Sequence, residues 1–170
     1  MKARGVLLTA AVLAVGVAWY LFRPERLFID KAVSETFPVA RAEAASSSQT
    51  PRPVASGRFH SVAHETKGTA TIYEFVDGRR VLRFSDFETS NGPDVQVYLV
   101  AAADSNDSDT VRKSDFVHVA ALKGNTGDQN YDLPAGVDLA KYRSVTVWCR
   151  RFAVNFGTAP LAESLRAGID

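Results

Sequence analysis

The sequence predicts an all-β domain, an antiparallel β-sandwich of about seven to nine short strands, behind one N-terminal transmembrane helix and a flexible tether. Three observations carry this. Between residues 57 and 161, short β-branched and aromatic runs alternate with Gly, Asn, Asp and Pro. Residues 5–22 carry no charge. Between these two regions lies a polar, small-residue stretch broken by prolines.

Residues 1–4 form a short tail with Lys2 and Arg4. As a helix, the eighteen residues 5–22 would span about 27 Å, close to the roughly 30 Å of a bilayer's hydrocarbon core. Trp19 and Tyr20 fall at one end, where aromatic side chains favour the interface. The reading is a signal-anchor. It gives a single-pass protein of the cell membrane, with membrane contact through residues 5–22. The basic residues Arg23, Arg26 and Lys31 roughly match Lys2 and Arg4, so charge does not orient the segment. The short tail favours a C-terminal domain outside the cytoplasm. The alternative is a cleaved signal peptide, with Gly16 and Ala18 small enough for a cleavage site.

Residues 23–56 read as a tether. The Ser46-Ser47-Ser48-Gln49-Thr50-Pro51-Arg52-Pro53 run cannot bury enough apolar area to offset chain ordering. Leu27, Phe28, Ile29 and Phe37 are apolar exceptions, placed either at the membrane surface or under the domain.

From 57 to 161 the elements follow in order. Residues 58–63 are a short strand and 69–76 a longer one. Asp77-Gly78 is a hairpin signal whose two residues tolerate positive φ, and it leads into 79–84. Asn91-Gly92-Pro93-Asp94 is a turn that launches the alternating run 95–100. Residues 103–109 form a polar surface loop, 116–122 a strand and 123–128 a turn-rich loop. Residues 129–133 are extended and 138–142 make one helical turn. The tail 162–170 holds a frayed helix at 162–167.

The densest β-forming run is 144–156. Val145, Val147 and Cys149 share one parity, whereas Trp148, Phe152, Val154 and Phe156 share the other. Side chains alternate along a strand, so the run is one bent core strand or two strands with an irregularity at Cys149-Arg150-Arg151.

Composition excludes several classes. The 20 basic and 19 acidic residues give a net charge of +1. Removing Lys2 and Arg4 from the basic residues leaves 18 against 19, so there is no basic surface for nucleic acid. One cysteine makes no internal disulfide and no multi-cysteine metal site. A blue-copper site is disfavoured, because Met1 is the one methionine and no histidine follows Cys149. No G-x-S-x-G, H-E-x-x-H or phosphate-cradling glycine loop occurs, so no hydrolase or transferase assignment follows.

Several motifs in order resemble the DM-thirteen family, also called the electron-transfer DM domain. They are Gly57-Arg58-Phe59, His64 with Gly68-Thr69-Ala70, Asp86-Phe87, and Asn91 to Asp94. Leu122 to Asn125 with Gly127 to Tyr131, and Val147-Trp148-Cys149 with Phe152 and Phe156-Gly157, complete the set. The resemblance implies an extracytoplasmic β module with a redox or electron-transfer role through its single cysteine. That makes Cys149 the redox candidate and cofactor-ligand candidate, with His64 as its possible partner. The cysteine acts either as a bare thiol or as a ligand to a group such as haem. The resemblance names no cofactor, no redox partner and no metal. Two readings of Cys149 stand side by side: a reactive thiolate beside Arg150 and Arg151, or a small buried apolar residue. His60 and His118 read as structural. The competing function is a non-catalytic binding module that presents its turns, including 91–94 and 124–131, to a partner.

Overall fold

A computed structural model describes residues 2–22, 30–38 and 51–163. The described chain is mostly β, in two sheets with no closed barrel. Eight strands have six residues or more: β2 (Arg52–Arg58), β4 (Thr66–Glu74), β5 (Arg80–Thr89), β6 (Val95–Val100), β7 (Phe116–Ala121), β8 (Thr126–Asp132), β9 (Ser144–Cys149) and β10 (Val154–Pro160). Three short strands complete the set: β1 (Ala32–Ser34), β3 (His60–Ser61) and β11 (Ala162–Glu163). One sheet runs β1-β8-β5-β4-β2-β11 and the other β3-β10-β9-β6-β7. Every pairing is antiparallel except β1 with β8.

The core lies where alternating residues of both sheets meet. Ile72, Leu82 and Phe84 from the first sheet join Val97, Leu99 and Val147 from the second, all fully buried. The pattern follows from the strand period of two. Strands β6 and β9 are buried on both faces, because a second cluster covers their outer side. There α2 (Ser108–Lys113) lays Val111 against Tyr98, Val100 and Trp148. Asp107 caps α2 by accepting the Thr110 N–H. The expected loop over 103–109 holds as far as Asp107, and this helix takes its last two residues and continues to Lys113. Its six residues are too few to display a hydrophobic period.

The β4–β5 hairpin turns where expected, with a different turn geometry. The Gly78 N–H donates to the Phe75 carbonyl, and only Gly78 of the Asp77-Gly78 pair has positive φ (80°). Asp77 instead accepts the Arg79 N–H with its carboxylate. This is an ordinary turn closed by a left-handed glycine rather than a two-residue mirror-image turn.

Two further expectations change. Ala162–Glu163 pair with β2 as a strand, so the helix expected at 162–167 does not begin there. Its remainder, like Leu27 to Ile29, lies outside the described residues. Within the stretch read as a tether, Ala32–Ser34 are an edge strand and Arg52–Arg58 an inner strand. Phe37 packs edge-on to Tyr73 with ring centroids 4.8 Å apart. At the N-terminus, Lys2–Phe22 form helix α1, with Val12, Leu13 and Val15 exposed. Among the described residues, no helix is long and apolar enough to cross a membrane.

Candidate functional site

The parity break at Cys149 is a chain reversal. Strand β9 ends at Cys149, residues 150–153 turn, and β10 returns against it with Val154 opposite Cys149. Ala153 takes a positive φ of 52° inside the turn. A register shift between Asn155 and Gly157 leaves Phe156 as an extra residue, which turns its ring into the core. Two strands with an irregularity is therefore the correct reading of 144–156. Trp148 faces the outer cluster, Cys149 the inner core, and Phe152 is exposed.

Cys149 is 0% exposed and packed among the core side chains. Its thiol makes no hydrogen bond within the described residues. The arginine beside it serves another purpose: the Arg150 guanidinium donates to both Asp94 carboxylate oxygens at 2.9 and 3.4 Å. The Arg150 N–H also donates to the Asp94 carbonyl. Arg150 thus fastens the β9–β10 turn to the 91–94 turn, and its charge is engaged there. Arg151 is exposed.

His64 is brought to Phe156. Their ring centroids lie 3.9 Å apart, and the His64 N–H donates to the Phe156 carbonyl at 3.2 Å. No hydrogen bond joins His64 to Cys149 among the described residues. Phe156 in turn belongs to the same buried core cluster as Cys149. His60 bonds Asp104 and His118 bonds Gln96, both at 2.8 Å, which gives each a structural partner.

A haem ligated by Cys149 does not fit this arrangement. Iron ligation needs a free approach to the sulfur and room for the macrocycle. Cys149 is 0% exposed within a core cluster that also holds Val95, Val147 and Phe156. Among the described residues, no three His, Cys, Asp or Glu side chains cluster as metal ligands.

Near this end of the second sheet lies a cleft of about 550 Å³ lined by residues 90–96 and 121–125, with Asp30 and Lys31. It is built from the two turns Asn91 to Asp94 and Leu122 to Asn125. A buried network sets the second turn. Gln129 is fully buried, accepts the Gly124 N–H (3.2 Å) and the Tyr131 hydroxyl (2.6 Å), and donates to the Gly124 carbonyl (2.9 Å). Burial pushes the Tyr131 phenol well above its ordinary range. Asp94 anchors the first turn between Arg150 and the Gln96 amide, which donates at 2.6 Å.

Sequence reasoning named both turns but missed Asp30, which accepts from Asn91 (2.9 Å) and Asn125 (2.8 Å) and completes the cleft. Nothing in a polar stretch marks one aspartate as docked. The family model described as Electron transfer DM13 matches residues 58–161. No curated protein and no solved structure matches the chain.

Proposed function

We propose, from the premise that this chain belongs to the Electron transfer DM13 family, that it serves electron transfer outside the cytoplasm as a membrane-held β-sandwich module. Its contribution is a contact surface, the cleft between residues 90–96 and 121–125, offered to a redox partner. Attachment through residues 5–22 rests on their lack of charge and on a length close to that of a bilayer's hydrocarbon core.

The observation that favours a contact surface is the burial of Cys149. A carrier thiol exchanges electrons by meeting another sulfur or an oxidant, and a sulfur at 0% exposure meets neither. The matched turns instead converge on an open cleft of mixed polar and apolar lining. Titrating the native protein with a thiol reagent, beside visible spectra with and without added haem, tests this. An unreactive thiol and unchanged spectra are expected. Rapid native thiol reaction or a haem band would overturn it.

A second reading keeps Cys149 as the redox group, and its position at the last residue of β9 favours it. Opening of the 150–153 turn would expose the sulfur without unfolding both sheets. The thiolate would then attack a partner disulfide, form a mixed disulfide and release the partner's other sulfur as thiolate. His64 has no place in that exchange beyond its stacking on Phe156.

A further inference from the structure

The open edge of β8 receives residues 30–38, of which Ala32–Ser34 form a strand, and the fit is made by side chains of the family-matched region. Ala32, Val33 and Ser34 pair in parallel with Thr126, Gly127 and Asp128. The Glu35 N–H continues the ladder to the Asp128 carbonyl at 3.0 Å. At the segment's start, the Asp30 carboxylate takes the amides of Asn91 and Asn125, while the Lys31 N–H donates to the Asn125 side chain at 2.6 Å. At its end, the Glu35 carboxylate accepts the Lys123 ammonium at 2.7 and 3.0 Å and the Asn130 N–H at 2.7 Å. Asn130 and Arg83 donate to the Thr36 and Glu35 carbonyls.

Two glycines make room. A β-carbon on Gly124 would stand 2.2 Å from the Lys31 carbonyl oxygen, and one on Gly127 would stand 2.0 Å from that of Val33. All the side chains of the domain that hold the segment lie within residues 58–161, whereas the segment lies outside that match. A generic sheet edge needs none of these side chains to pair a strand. This edge supplies polar groups for a carboxylate at each end of a six-residue frame.

We infer that the β8 edge is a recognition site for an extended segment carrying Asp and Glu five residues apart, and that its occupant is this chain's own residues 30–38. The docking sets the length of the leash between α1 and the domain. From Phe22 to Asp30 the chain spans at most about 28 Å, at roughly 3.5 Å per residue. With the segment released, the reach from Phe22 to Arg52 rises to about 105 Å. Docking therefore holds the cleft, which Asp30 and Lys31 help line, close to the end of α1. This inference does not depend on the cleft being a partner surface.

The test uses the full chain and two readouts: tryptic cleavage after Lys31 and amide exchange at Glu35. The reference is a free peptide of residues 26–38. In the wild type, cleavage after Lys31 is at least tenfold slower than in the peptide. In Gly124→Ala, whose added methyl meets Lys31 and Val33 first, it rises to the peptide rate while amides of β9 stay protected. Glu35→Ala, a change on the domain's surface, gives the second variant and the same result. A synthetic peptide of residues 30–38 then binds the Glu35→Ala chain at least tenfold more tightly than the wild type. A peptide with Asn and Gln in place of Asp30 and Glu35 does not bind. Cleavage at the peptide rate in the wild type, or unchanged protection in Glu35→Ala, overturns the inference.

Discussion

Val95 stands directly across from Cys149 on the neighbouring antiparallel strand and also lines the cleft. Val95 thus belongs both to the core cluster that holds the chain's single sulfur and to the wall of an open cleft. Val95→Ala is expected to cost about 1–2 kcal/mol, for two methyl groups lost from a site only 9% exposed. It should also create a native route to the thiol. The two effects separate by denaturant. Modification through global unfolding accelerates with urea at the full m-value, whereas a route through the cleft is insensitive to low urea. Urea-insensitive labelling in Val95→Ala and its absence in the wild type are the expected pair of results.

The core around Cys149 prices polar and apolar replacements differently. Cys149→Ala removes one sulfur's packing and is expected to cost about 1 kcal/mol. Cys149→Ser keeps nearly the same volume but buries a hydroxyl without an evident acceptor, at about 1–3 kcal/mol. Urea denaturation should therefore rank the serine variant below the alanine variant. If the electron-transfer role is a contact role, both variants retain partner binding in a pull-down at temperatures where they are folded.

Much of the architecture was legible because it follows local rules. The hairpin at Asp77-Gly78, the strand over 95–100 and the irregularity after Cys149, though not that it is a full reversal, each rest on a turn dipeptide or a parity change within a few residues. What was illegible rests on long-range contacts. Residues 30–38 are polar enough to stay unfolded alone, and they order because Lys123, Asn125 and Asn130 supply partners from about ninety residues away. The site divides in the same way. Burial of Cys149 was readable from its parity with Val145 and Val147. The placement of His64 on Phe156 depends on a register shift that no residue type announces.

Gln129 links three buried polar groups around one turn of the cleft, two of them on Gly124 and the third the Tyr131 hydroxyl. Gln129→Leu preserves most of the volume and strands these groups away from water. A loss of about 3 kcal/mol is expected, well above that of a typical surface change. Chemical denaturation should show a lower midpoint with an unchanged slope. Because the turn at 123–125 also receives Lys31, cleavage after Lys31 should rise in the same variant.

Acid should release residues 30–38 before it unfolds the domain. Burial opposes the charge on Glu35. The hydrogen bonds from Lys123 and the Asn130 N–H, with the charges of Lys123 and Arg83, outweigh it and hold the carboxyl below its ordinary 4.5. Arg83 is itself paired with Asp128, so Glu35 faces one fully available cation, Lys123, and one shared cation. A carboxyl whose pKa falls on docking stabilises the docked form above its free pKa. That stabilisation fades as pH drops through the lower docked value. Amide exchange at Glu35, corrected for the intrinsic pH dependence, should be slow and flat from neutral pH down to about 5. It should then quicken below 4.5 while β9 amides remain protected. In Glu35→Gln the Lys123 ion pair is gone at every pH, so exchange should be faster at neutral pH and the acid-induced change smaller. A Glu35→Gln profile superimposable on the wild type would mean that the carboxylate does not hold the segment.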